Sequence, residues 1–152
     1  MQLVELGLAN RVARASVGLD EITLDNILTI NLDGEVVAGA ARRHSEVFIH
    51  TEIYKARPDV QCVLHTHPPH AIALSATGRP LRAYSQPGAL FRDAIGTFQE
   101  SMTLVRSAAM GAGVARALGP HRAVLMKNHG VAIATASIAE TVVSAVMLET
   151  AA

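Results

Sequence analysis

At 152 residues and half hydrophobic, the chain is long enough for one domain with a real core and too short to expect two. Thirteen basic and thirteen acidic residues cancel, and no run of either sign stands out, which leaves no electrostatic footprint for a nucleic-acid partner. A single cysteine, Cys62, excludes an internal disulfide, no apolar stretch nears the length of a membrane span, and Glu5 interrupts the basic-then-apolar order of a signal peptide, so a protein of the cytoplasm is expected.

In chain order, Leu3, Leu6, Leu8, Val12 and Ala15 recur at loosely helical spacing and predict a helix over 2–15. Residues 27–32 then alternate like a strand, Asp33-Gly34 is a hairpin turn, and 35–39 return. A helix is expected over 45–56, with Ser45 as N-cap, Ile49, Ile53 and Ala56 on its apolar face, and Arg57-Pro58-Asp59 as its stop. A short buried strand over 60–64 follows, with Cys62 as core, and a helix opened by prolines over 68–76. Residues 81–97 give no regular pattern. A helix over 102–118 closes at Gly119-Pro120, two strands over 122–126 and 131–135 flank Asn128-His129-Gly130, and Ser137-Ile138-Ala139-Glu140 reads as a capping box. The helix it opens, over 138–151, presents Val142, Val143, Ala145 and Val146 as its apolar face. Hairpins mixed with helices predict a sheet with much antiparallel pairing, covered by helices.

The chemistry concentrates at Val63-Leu64-His65-Thr66-His67-Pro68-Pro69-His70, a strand running out into a histidine-rich turn. His65 and His67, two apart, project from one strand face and can reach a common point. Imidazole suits zinc, iron, cobalt and nickel, and a catalytic metal centre has about three protein ligands with a position left open. His129, in a turn between two apolar strands, is the third candidate. Glu46 opens the helix that precedes the ligand strand. Antiparallel packing of helix on strand carries it back toward the histidines, where a carboxylate can shuttle a proton; an ordinary dipole-favoured acidic residue has the same place in sequence. His50 is read as a surface or interface residue on the polar side of its helix. His70 could orient a ligand from behind, Lys127 and Asn128 could support His129, and His44 and His121 fall in loops. A metallo-β-lactamase pattern would need an aspartate beside the last histidine, and a cupin pattern a glutamate soon after the pair; neither is present.

The motifs Ser45-Glu46-Val47-Phe48-Ile49-His50, Ile53-Tyr54-Lys55-Ala56-Arg57-Pro58-Asp59-Val60, His65-Thr66-His67-Pro68-Pro69 and Lys127-Asn128-His129-Gly130 resemble, in kind and order, those of the class II aldolase/adducin family. The resemblance implies a three-layer αβα sandwich around a central, mostly antiparallel sheet. It also implies a divalent metal, zinc first with manganese, iron or cobalt as alternatives, on His65, His67 and His129, and Glu46 as the catalytic acid/base. A small-molecule substrate and a homotetramer are further implications. It points to a metal-dependent carbon–carbon lyase, aldolase-type cleavage of a hydroxy-carbonyl compound first and decarboxylation of a hydroxylated or keto acid second. Epimerases and non-catalytic adducin-like domains stand further off. The phosphate-binding Gly-Asn-x-Ser and Ser-Gly-x-Ser stretches of sugar-phosphate members are absent, and the only tyrosines, Tyr54 and Tyr84, lie away from the C-terminal position from which many members donate a proton. The chain is accordingly expected to be one domain, shortened near residues 11–20 and at its C-terminus.

Overall fold

A computed structural model describes residues 2–5, 10–13 and 21–152. Its central sheet has five strands, β1 (Gln2–Glu5), β5 (Cys62–Thr66), β8 (Gly130–Thr135), β7 (Ala123–Met126) and β6 (Ile95–Phe98), in that spatial order. All pairings are antiparallel except β6 with β7. A second, antiparallel sheet joins β2 (Asn10–Ala13), β3 (Ile27–Ile30) and β4 (Val36–Ala38). Helices α1 (Val47–Ala56) and α4 (Ala108–Leu118) cover one face of the central sheet; α2 (Pro69–Thr77), α3 (Gln86–Ala89) and α5 (Ile138–Ala151) belong to the other. The result is the expected sandwich of helices on both sides of a mostly antiparallel sheet.

The three inner strands are apolar on both faces because both are covered. Val63, Val124, Met126, Ala132 and Ala134 join one buried cluster with Val47, Ile49, Ile53, Val114 and Leu118. Leu64, Ala123, Leu125, Val131 and Ile133 join another with Ala71, Phe91 and Leu148. Cys62 is fully buried. The hairpin turns as read, with Gly34 at φ 80° and the Asn31 side-chain oxygen accepting from the Asp33 and Glu35 N–H groups. Among the described residues no helix is long and apolar enough to cross a membrane.

Several expectations are corrected. The first residues form two strands where a helix was expected: Gln2–Glu5 pairs along Cys62–Thr66 and Asn10–Ala13 along Ile27–Ile30, so long-range pairing overrides a loose helical period in a short window. Much of the region where shortening is expected, residues 14–20, lies outside the described residues. Residues 81–97 contain a short helix and strand β6. Helix α1 takes Glu46, not Ser45, as its N-cap, and α4 begins only after Ser107, whose hydroxyl accepts from the Met110 N–H. At α5 the Ser137 hydroxyl accepts from the Glu140 N–H, but the Glu140 carboxylate pairs with Arg122 instead of completing the box. Helix α5 buries Thr141, Ser144 and Leu148, leaving Val142, Val143 and Val146 exposed. Hydrogen bonds fix that rotation: Thr141 to Thr135 and Ser137, Ser144 to Arg122, and Glu149 to the start of α2.

Candidate metal centre

His65 lies on β5 opposite Ala132 of β8, facing the α1 side of the sheet, and His67 follows one residue beyond the strand. The β7–β8 turn, Lys127-Asn128-His129, brings in His129; Asn128 takes the left-handed φ of 54° that the tight turn requires, and an asparagine tolerates it. The His65–His67, His65–His129 and His67–His129 ring centroids are 4.7, 5.0 and 5.4 Å apart. Gly130 makes room for this meeting: a Cβ there would stand 2.7 Å from a His67 ring carbon, 2.6 Å from the Thr66 carbonyl and 3.3 Å from the His65 ring.

Antiparallel packing of α1 on β5 carries Glu46 to the same place. Its Oε1 is 3.2 Å from His129 Nε2 and its Oε2 3.6 Å from His65 Nε2. One potential ligand atom from each of Glu46, His65, His67 and His129 falls within 4.8 Å of all the others. The structure thus brings together all four residues singled out in the sequence. Glu46 is 1% exposed and His65 3%, while His67 faces solvent and marks the open side.

The donor chemistry fits a cation. His65 Nδ1 lies 2.9 Å from the Val131 carbonyl, which can only accept, so the proton sits on Nδ1 and the Nε2 lone pair faces the cluster. His65 Nε2 and both ring nitrogens of His129 are buried and make no hydrogen bond. Left so, each would cost about 1–3 kcal/mol. Burial, then the charges of His65 and His129, push the His67 pKa down, which favours the neutral, ligating imidazole. Burial pushes Glu46 upward, but its contacts with His129 and His65 and the Val105 N–H at 2.9 Å outweigh this and hold the carboxyl well below the usual range.

Supporting contacts were less legible. His44 Nδ1 accepts from the N–H of Glu46 just ahead of α1, whereas the sequence offered only a loop histidine. The Val105 N–H that holds Glu46 is backbone and leaves no sequence signal. The Ser75 hydroxyl accepts from the Asn128 N–H and so steadies the His129 turn, and His70 pairs with Glu149. His50, expected at the surface, is fully buried, and neither ring nitrogen makes a hydrogen bond. Its place, one turn after Glu46 on the same helix, was the available signal. Tyr54 is committed to the core, accepting from the Val63 N–H, and Tyr84 is exposed.

The family model for the class II aldolase and adducin N-terminal domain matches residues 9–152. The chain is 30% identical over 143 residues to a 3,4-dihydroxyphthalate decarboxylase of Arthrobacter keyseri, covering 88% of this chain and 57% of that protein. It is 36% identical over 76 residues to a 5-deoxy-D-ribulose 1-phosphate aldolase of Bacillus thuringiensis serovar kurstaki, covering 49% and 36% respectively. An aldolase II superfamily protein from Pseudomonas syringae superposes with a TM-score of 0.87 at 26% identity, covering 99% of this chain and 63% of that one. The chain spans about half the length of the curated relatives it matches.

Proposed function

The chain belongs to the class II aldolase and adducin N-terminal domain family, and on that footing we propose that it is a single catalytic domain of a metal-dependent carbon–carbon lyase acting on a small molecule. The observation that carries the reading is the convergence of three imidazoles and one carboxylate, with buried ring nitrogens of His65 and His129 that make no hydrogen bond. His65, through Nε2, with His67 and His129 would hold the ion; zinc is the first choice by resemblance, with manganese, iron or cobalt also suited to imidazole. When bound, a divalent ion supplies Lewis acidity that draws electron density from the bond to be broken.

The chain's own residues supply the rest. Glu46 takes up and returns the substrate's proton; the Val105 N–H fixes its Oε1, and its near-complete burial keeps bulk water from competing. Substrate enters from the side of His67, the exposed ligand. The long similarity to a decarboxylase of a hydroxylated acid favours loss of carbon dioxide. Aldol cleavage of a hydroxy-carbonyl compound is the second reading, favoured by the identity to a sugar-phosphate aldolase over half of the chain. The reading includes assembly into a homotetramer in the cytoplasm, with the exposed Val142, Val143 and Val146 stripe as contact surface.

Incubation of the metal-loaded protein with hydroxylated aromatic acids and with hydroxy-ketones tests the proposal, carbon dioxide or aldehyde being measured as the product. Glu46→Gln should lower kcat by about 10²–10⁴-fold at unchanged metal content. Full turnover in that variant removes Glu46 from the chemistry.

A further inference from the structure

Helix α2 begins under an unusual constraint. Pro68 is its N-cap and Pro69 its first residue, so neither contributes an N–H, and the Pro68 side chain cannot cap. The first N–H groups that need partners are those of His70 and Ala71. Both donate to one carboxylate on a different helix: His70 N–H to Glu149 Oε1 and Ala71 N–H to Glu149 Oε2, each at 3.0 Å. His70 Nδ1 stands 2.7 Å from the same Oε1. A negative charge at this end also opposes the positive end of the helix dipole.

The capped turn is continuous with the metal-centre residue His67. One turn and a half further along, α2 also touches the other ligand loop, because the Ser75 hydroxyl accepts from the Asn128 N–H at 3.1 Å, directly before His129. A single nine-residue helix therefore braces both ligands that lie outside the strands, one by chain continuity and one by a hydrogen bond. Ala71 and Leu148, the neighbour of Glu149, share a buried cluster with Leu64 and Ile133, which seats α2 and α5 on the sheet. Packing of Ala71 seats α2 on the sheet and the Ile72 N–H closes its first turn on the Pro68 carbonyl, while the Glu149 carboxylate takes the two N–H groups that the turn itself leaves open.

We propose that Glu149 is a positioning residue: by capping α2 from α5 it holds the His67-Pro68-Pro69 turn in the place that lets His67 meet His65 and His129. The inference rests on the metal-centre reading above. Its role is exerted through His67, at a distance from the reacting atoms.

The test uses Co²⁺ as probe on the full chain, with affinity from chelator competition and geometry from the visible ligand-field spectrum. The two N–H groups are bound by different oxygens, and glutamine replaces one of these with an NH2 that meets an N–H donor to donor and removes the negative charge. Glu149→Gln should therefore weaken Co²⁺ binding by about 10–100-fold, the range for a residue that orients a ligand, and alter the spectrum. His70→Ala keeps both backbone bonds and should stay within about threefold of wild type, on the same supporting-residue scale. Thr141→Val, which loosens α5 at its other end, should lower stability with affinity and spectrum unchanged. Wild-type affinity and spectrum in Glu149→Gln, with the wild type binding Co²⁺ normally, overturn this inference alone. Failure of the wild type to bind Co²⁺ at all overturns the metal centre and this inference with it. Should Glu149→Gln not fold, hydrogen exchange on the wild type decides: coupling is reciprocal, so Zn²⁺ must slow exchange at the His70 and Ala71 amides, and unchanged exchange there sinks the proposal.

Discussion

On the α2 and α5 side of the sheet, the buried polar side chains among the described residues have protein partners; on the α1 side several have none. Thr135 and Thr141 share a hydrogen bond of 2.6 Å, Thr141 also donates to the Ser137 carbonyl, Ser144 accepts from Arg122, and Ser75 donates to the Ile72 carbonyl. Across the sheet and at its ligand end, both nitrogens of His50, the Thr51 hydroxyl, His65 Nε2 and both nitrogens of His129 lack a hydrogen bond. Each such atom costs about 1–3 kcal/mol, so the meeting of the His65 and His129 nitrogens at one point, with His50 and Thr51 unsatisfied on the same side, is the reverse of what stability alone selects. One face is finished by the protein itself; the other is built around something the protein does not supply.

The sharpest way to break that contrast is to remove a ligand that folding does not need. His67 is exposed, so His67→Ala should change the stability of the metal-free protein by no more than about 0.5 kcal/mol. It should nevertheless lose metal affinity by more than the roughly 10–100-fold that a supporting residue commands, and lose turnover with it. Metal analysis beside a denaturant titration reads both. Retained activity would remove the mechanism.

How much of this is legible in the sequence follows from how far apart in the chain each cause lies. The histidine pair was readable because strand periodicity is local; for Glu46 the antiparallel placement of helix on strand left an ordinary dipole-favoured acid equally open, and the resemblance of its motif to the family's singled it out. The burial of His50 was not readable, since helical period does not say which neighbours, distant in sequence, close over the polar side of α1; His65 and His44 are near enough to act on it. Strand β6 escaped because Ile95-Gly96-Thr97-Phe98 looks like loop. Its glycine answers to a neighbour distant in sequence: a Cβ at Gly96 would lie 1.9 Å from the Ala117 carbonyl of α4. The rotation of α5 was hidden for the same reason, because side-chain hydrogen bonds to Arg122, Thr135 and the start of α2 outweigh the exposed valines.

The opposite face offers a smaller, complementary effect. Thr141→Val keeps the shape of the side chain and removes the hydroxyl that shares a 2.6 Å hydrogen bond with Thr135, whose own bond to the Ser137 carbonyl remains, which should cost about 0.5–1.5 kcal/mol of stability while metal affinity stays constant. Loss of metal along with stability would mean that the two faces are not separate in function.

The smallest effect concerns His50, which sits on the unfinished face without being one of the four converging groups. An orphaned buried imidazole is paid for in desolvation, so His50→Leu should leave stability at neutral pH unchanged or raise it by about 1 kcal/mol. Acid exposes the difference. Burial, then the charges of His65 and His44, push the His50 pKa down to about 3 from its ordinary 6.5. Between those values the unfolded chain holds a proton that folded His50 does not, so the wild type loses stability as pH falls through that window, by up to about 1.4 kcal/mol per pH unit from this group. The leucine variant lacks that contribution. Denaturant midpoints of the two proteins should therefore diverge from pH 6.5 downward, the variant becoming the more stable. Parallel curves would mean that the ring finds a proton acceptor inside the fold, and that His50 belongs with the finished face rather than the unfinished one.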